Sequence, residues 1–142
     1  MLTIHEKANN EMVADAIAGF PDECCGFLFG TGEGEERTVT AIQIVNNAKQ
    51  GDKRRRFEIA PVDYLRAEKF ADENDLQLLG VYHSHPNHPA LPSEHDRVAA
   101  QPYFSYVIIS VMDEKWSDTR CWRLNDEQQF EEEPITNYQL IK

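Results

Sequence analysis

Apolar residues recur every four positions at the start of the chain: Ile4, Ala8, Met12 and Ala16, with Val13 and Ile17 beside them. Glu6, Lys7, Asn10, Glu11 and Asp15 fill the other positions. This period predicts an amphipathic helix over 3–19, closed by Gly19-Phe20-Pro21. Cys25 to Phe29 is a short apolar run bounded by turn residues, which predicts a buried strand. Over 37–46 the pattern alternates, with Thr40, Ile42 and Ile44 on one face and Val39, Ala41 and Val45 on the other. With the Gly-rich turn between them, residues 23–46 predict a hairpin. Arg55 to Ala60 reads as a further strand. Pro61 sits at a first helical position and opens a helix over 61–74, with Tyr64, Leu65, Ala67, Phe70 and Ala71 on its apolar side.

The second half continues in the same way. A strand is predicted over 76–83, and a short helix over 93–101 with Ser93 at its N-cap. Residues 103–111 are β-branched and aromatic almost without interruption, the pattern of a central strand buried on both faces. Asp113–Asp118 reads as a turn and Thr119 to Leu124 as a strand with Trp122 in the core. Trp116 also reads as a packing group. Gln128 to Ile135 reads as a last strand, edge-like because of Glu131, Glu132, Glu133 and Pro134. No repeat or low-complexity linker divides the chain, so residues 1–142 read as one domain. The element order predicts an α/β fold, a mixed sheet flanked by helices.

The chemistry concentrates in residues 80–96. If the strand runs on through His83-Ser84-His85, the two imidazoles share a face. Asp96 falls in the first turn of the helix that Ser93 caps. Two imidazoles and one carboxylate can converge on one point, the three-protein-ligand set of a catalytic zinc site. Against this stands an ordinary reading. Histidines are common hydrogen-bonding groups, and His88 and His95 make the whole stretch His-rich. The joint spacing decides between them. His83, His85, Pro86, Pro92, Ser93 and Asp96 together resemble the JAMM (MPN+) metalloprotease motif, H-x-H-P…P-S-x-x-D.

The resemblance extends from Thr3 to about Leu124 and implies the MPN fold, which is similar to the cytidine-deaminase-like arrangement. It implies one zinc ion per chain held by His83, His85 and Asp96. A second family element is a Glu ahead of a Gly-containing apolar strand. Pro21-Asp22-Glu23-Cys24-Cys25-Gly26-Phe27-Leu28-Phe29-Gly30 resembles it, which implies Glu23 as general base. Without that resemblance Glu23 reads as a surface residue at a strand end. Ser93 is implied as donor to the oxyanion, besides its reading as an N-cap. The short form, with no long insertion after Asp96, looks like the bacterial and archaeal members. These are implied to cleave after the C-terminal Gly-Gly of ubiquitin-fold sulfur-carrier proteins. Two other readings compete. A non-catalytic MPN scaffold that only binds partners would lack the ligands. A zinc deaminase would need H-x-E and P-C-x-x-C, and neither occurs.

Composition narrows the partners. With 14 basic and 25 acidic residues the net charge is −11, which argues against nucleic acid and against anionic membrane. No apolar run approaches the ~18 residues of a membrane helix. The first residues lack the apolar core of a secretory signal. Three cysteines, two of them adjacent, make no disulfide framework and point to reduced thiols in the cytoplasm. The one basic cluster, Lys53-Arg54-Arg55-Arg56, reads as a solvated loop, with a contact to an acidic protein substrate as the alternative.

Overall fold

A computed structural model describes residues 1–138. It opens with a strand where the period of four predicts helix. Leu2 and Ile4 are buried while Thr3 and His5 are half-buried, so β1 (Leu2–His5) alternates with a period of two. Ile4 satisfies both periods, which is why the spacing reads as helical from residue 3. The helix α1 runs from Glu6 to Gly19 and buries Ala8, Met12 and Ala16. β2 (Cys25–Glu33) and β3 (Glu36–Val45) form the expected hairpin. The strand expected over 55–60 does not form: among the described residues this segment pairs with no strand. Its backbone is tied to the end of the hairpin instead, with Ala48 N–H donating to the Glu58 carbonyl at 2.8 Å.

α2 (Pro61–Glu73) starts at its proline as expected. β4 (Gln77–Pro86), α3 (Glu94–Ala99), β5 (Ser105–Met112) and β6 (Lys115–Leu124) follow. β6 begins earlier than the expected Thr119. Asp113 and Glu114 both adopt positive φ, 50° and 69°, and close a two-residue hairpin turn in which Met112 faces Lys115. Trp116 therefore lies on a strand near an open surface and is 52% exposed, not packed. Trp122 is half-buried, with its indole N–H donating to the Ala90 carbonyl at 3.0 Å. Pro134 breaks the last expected strand into β7 (Phe130–Glu133) and β8 (Ile135–Tyr138).

The strands form one mixed sheet in the order β7-β6-β5-β4-β2-β3-β1-β8. β1 runs parallel to β3 and β8, and β4 runs parallel to β5; the other pairs are antiparallel. β7 and β8 are separated by Pro134 alone, yet they lie at opposite edges. Successive Cα atoms are only about 3.8 Å apart. The sheet must therefore curl until its edges meet at Pro134, whose carbonyl accepts Leu2 N–H at 2.9 Å. α1 touches β1, β3, β4, β5, β6 and β8, a set that one helix reaches only from the concave side. Met12, Leu28, Val39, Tyr82, Val107 and Ile109 fill that side. On the outer face, Phe27, Phe29, Val81 and Tyr106 pack under Ala67 and Ala71 of α2. β5 is buried from Ser105 to Val111, as its unbroken apolar run predicts.

A buried polar clasp holds the curl closed. Arg37 on β3 donates to the carbonyls of Leu79 at 3.2 Å and Tyr103 at 2.8 Å, and to Ser105 Oγ. Ser105 Oγ in turn donates to Glu133 at 2.7 Å, and Arg37 and Glu133 form an ion pair at 3.9 Å. Of the acidic trio on the edge strand, Glu133 thus points inward. No helix among the described residues is long and apolar enough to cross a membrane.

Candidate metal centre

β4 presents alternate side chains to the two faces of the sheet. Tyr82 points toward α1, where its hydroxyl donates to Asp15 at 2.8 Å. His83 and His85 point the other way, and their Nε2 atoms lie 3.2 Å apart. Asp96 arrives from α3. Ser93 is the N-cap: Asp96 N–H donates to Ser93 Oγ at 3.1 Å, and Ser93 N–H donates to Asp96 Oδ2 at 2.9 Å. This reciprocal capping box fixes the Asp96 rotamer. The same Oδ2 lies 3.5 Å from His83 Nε2 and 3.3 Å from His85 Nε2.

Glu23 comes from the loop before β2, sixty residues away in sequence from His83. Antiparallel pairing sets Cys25 opposite His83. The pairing is extended by Ser84, whose N–H donates to the Cys24 carbonyl at 3.1 Å and whose Oγ accepts Cys24 N–H at 2.8 Å. Glu23 is held from its other side as well. Its N–H donates to the Lys53 carbonyl at 2.7 Å, and its carbonyl accepts Asn47 Nδ2 at 3.1 Å. One donor atom each from Glu23, His83 and His85 lies within 4.8 Å of the others. Glu23 and His83 are buried, 6% and 1% exposed.

The donor set fits a metal ion. Zinc binds imidazole nitrogen and carboxylate oxygen at about 2.0–2.2 Å, so neighbouring ligand atoms on a tetrahedron stand roughly 3.3–3.5 Å apart. The separations among His83, His85 and Asp96 are 3.2, 3.3 and 3.5 Å. His85 Nδ1–H donates to the Pro89 carbonyl at 2.9 Å, which leaves the Nε2 lone pair facing the centre. Among the described residues His83 Nδ1, which is buried, has no hydrogen-bond partner. Its ring is held instead by stacking on Phe57, with centroids 4.4 Å apart and 24° between planes.

The electrostatics separate the two carboxylates. Burial pushes the Glu23 pKa up to about 8; Asp96 adds to the rise, while His85 and Arg56 oppose it. Burial acts on Asp96 in the same direction, but His83, His85 and the Ser93 N–H more than offset it and hold Asp96 well below the usual carboxylate range. Burial lowers the His83 pKa. For His85 burial is outweighed by Asp96, the Pro89 carbonyl and Glu23, and the net is a rise. One carboxyl is thus kept anionic among imidazoles, while its neighbour is disposed to carry a proton.

All five expected site residues meet at this place, with Ser93 as the exposed cap beside Asp96. Its hydroxyl oxygen accepts from Asp96 N–H, which leaves the hydroxyl hydrogen to donate outward. Three supporting residues escaped the sequence reading. Ser84 carried a partial signal, since the middle residue of His-x-His lies on the opposite face of the strand from the imidazoles; its bond to Cys24 follows from the pairing with β2. Asn47 and Phe57 carried none: their roles arise from a loop closing over the hairpin end. A cavity of about 220 Å³ opens beside His83 and Asp96, walled by Phe57, Tyr64, Tyr106 and Ile108. A larger one, about 670 Å³, lies away from the centre between α1 and β6.

Residues 5–125 match the family of prokaryotic homologs of the JAB domain. The CysO-cysteine peptidase of Mycobacterium tuberculosis is 33% identical over 127 residues, which covers 89% of this chain and 84% of the peptidase. The solution structure of a Desulfitobacterium hafniense protein superposes with a TM-score of 0.86 at 33% identity, covering 100% of this chain and 96% of that one. A JAB1/MPN domain protein from Archaeoglobus fulgidus superposes with a TM-score of 0.62 over 96% of this chain and 99% of its own length. At 16% identity this last likeness speaks to the fold, and it agrees with the expected MPN architecture.

Proposed function

The chain belongs to the prokaryotic JAB-domain family, and on that premise we propose that it is a zinc-dependent metallopeptidase. Its substrate is a ubiquitin-fold protein, a sulfur carrier, cut at the peptide or isopeptide bond after its C-terminal Gly-Gly. The observation that carries this reading is the convergence of two imidazoles and one carboxylate at 3.2–3.5 Å, with a second, buried carboxyl within 4.8 Å of the imidazole donors. The similarity to the CysO-cysteine peptidase supports the substrate class. His83, His85 and Asp96 would hold one zinc ion, which when bound supplies Lewis acidity and makes water a nucleophile near neutral pH. Glu23 takes the proton from the attacking water and passes it to the leaving nitrogen as the C–N bond breaks. Ser93 donates its hydroxyl hydrogen to the carbonyl oxygen as negative charge gathers there. A Gly-Gly tail suits this centre because the absence of Cβ lets its backbone approach buried ligands closely. Residues 1–142 act as one catalytic domain. Three free, buried cysteines support a cytoplasmic site of action.

The test joins metal content to turnover. The wild type is expected to hold about one zinc per chain and to cut a ubiquitin-fold carrier extended beyond Gly-Gly. Asp96→Ala is expected to lose both metal and activity. Glu23→Gln is expected to keep the metal and lose turnover. Zinc-free wild-type protein that takes up no zinc when it is supplied would move the chain to the binding-scaffold reading.

A further inference from the structure

The sequence holds a single run of four consecutive basic residues, Lys53-Arg54-Arg55-Arg56, in a chain of net charge −11. In the fold this run forms the loop that grips the proposed base. Lys53 gives its carbonyl to Glu23 N–H at 2.7 Å. Asn47 Nδ2 bridges the carbonyls of Glu23 and Arg56 at 3.1 and 3.0 Å, while Asn47 Oδ1 accepts the N–H groups of Lys49 and Glu58, both at 3.0 Å. All four hydrogen-bonding positions of this one amide are used to fix the basic loop against the base. Arg55 pairs with Asp52 at 3.7 Å. Among the described residues Lys53, Arg54 and Arg56 make no salt bridge, and all three are exposed, while the Arg56 charge is felt at Glu23. Arg56 Nη1 donates to the neighbouring Arg55 carbonyl at 2.9 Å.

Position tells what these cations meet. If Glu23 protonates the leaving nitrogen, the leaving residue lies on the Glu23 side of the centre. The folded body of the carrier lies on the opposite, acyl side, behind its Gly-Gly. One residue of extended chain spans about 3.5 Å. A substrate extended by a single residue therefore carries its free α-carboxylate about that far beyond the scissile nitrogen. We propose that the leaving residue runs toward this loop and that Lys53, Arg54 and Arg56 recognise its free α-carboxylate, which favours a short C-terminal extension over an isopeptide. Guanidinium is the group suited to carboxylate, through two parallel N–H bonds. A lysine side-chain amine in an isopeptide carries no carboxylate at that distance and forgoes the contact. This inference rests on the hydrolase reading above and refines its leaving group.

The experiment uses one ubiquitin-fold carrier extended past Gly-Gly by a single alanine, prepared as free acid and as carboxamide. Zinc-loaded wild type is expected to cut the acid with kcat/KM at least about tenfold above the amide, the scale of one charge-assisted contact. In Lys53→Gln/Arg54→Gln/Arg56→Gln that ratio is expected to fall to about one. Equal rates on acid and amide in the wild type would overturn the inference. So would a triple variant that slows both forms by one factor, an outcome that would put the loop against the acidic body of the carrier. A binding arm keeps this separate from the hydrolase reading. In the Glu23→Gln background, anisotropy of the labelled carrier is expected to show tighter binding of the acid form, lost on the triple substitution. If neither form is cut, the hydrolase reading fails and this arm still decides the inference.

Discussion

Loading the centre with zinc is expected to expel protons, and Glu23 sets how many. In the metal-free protein burial pushes the Glu23 pKa from 4.5 to about 8, so at pH 7 about nine-tenths of the chains carry a proton there. Glu23 lies within 4.8 Å of the two imidazole donors, so a dication held by them stands close to its carboxyl. An opposite charge at that range favours the carboxylate. Glu23 alone should therefore release about 0.9 proton per zinc at pH 7, and about 0.1 at pH 9, where it is already ionised. His85, whose pKa is also raised, adds its own contribution. Glu23→Gln removes the Glu23 part and leaves His85 its support from Asp96 and the Pro89 carbonyl. Calorimetric titration of zinc into apoprotein, in buffers of different ionisation enthalpy, reads the proton count as a slope. The wild type should exceed Glu23→Gln by about 0.9 at pH 7. Equal slopes for the two proteins, or proton uptake by the wild type, would refute the argument.

The same shift fixes the sign of a stability effect. A carboxyl whose folded pKa lies above its unfolded value binds more protons folded than unfolded, so stability falls as pH rises between the two values. From 4.5 to about 8, at about 1.4 kcal/mol per pH unit, the metal-free protein loses roughly 5 kcal/mol from this group. Urea denaturation of the apoprotein should show the loss between about pH 5 and 8, and Glu23→Gln should flatten it.

Two further substitutions test the scaffold. Ser84→Ala removes the acceptor for the buried Cys24 N–H, at a cost of roughly 1–3 kcal/mol. It should lower kcat with zinc content unchanged, because the strand end that aims Glu23 loosens while the ligands stay; an unchanged kcat would show that the strand pairing alone positions the base. Arg37→Leu breaks the clasp and strands Glu133, at a cost of roughly 3–5 kcal/mol by denaturant unfolding. A loss under 1 kcal/mol would mean that the curled sheet does not depend on it.

The proposed metal ligands could be picked out because they are local. His83, His85 and Asp96 span fourteen residues, and each rests on a short-range rule: strand alternation for the imidazoles, N-capping for the carboxylate. The misreadings share one cause, which is that a short window admits two periods. Ile4 fits a helix with Ala8 and a strand with Leu2, and the choice falls to β3 and β8, which bracket β1 from distant sequence. Residues 55–60 look strand-like but find no partner edge. Their hydrogen bonds go to Asn47 and Ala48 instead. Trp116 reads as core on size alone, and a two-residue turn at Asp113-Glu114 moves it outward.

The position of Glu23 is of another kind, because no local rule sets it. Its place beside the imidazoles follows from the register of β2 on β4, and that register is fixed where side chains cannot slip. Gly26 faces the Tyr82 ring across the pair, and a Cβ there would come within 2.2 Å of it. Gly80 lies against β5, and a Cβ there would lie 1.9 Å from the Ser105 carbonyl oxygen. A one-residue slip of β2 on β4 would drive a side chain against the Tyr82 ring and part Ser84 from Cys24; Gly80 holds the neighbouring register, that of β4 on β5. Gly26, mere punctuation in the sequence, therefore helps set the alignment that brings the proposed base to the proposed metal ligands. The bonds from Asn47 and Lys53 then hold the Glu23 backbone from the opposite side, and that places the basic loop at the same centre.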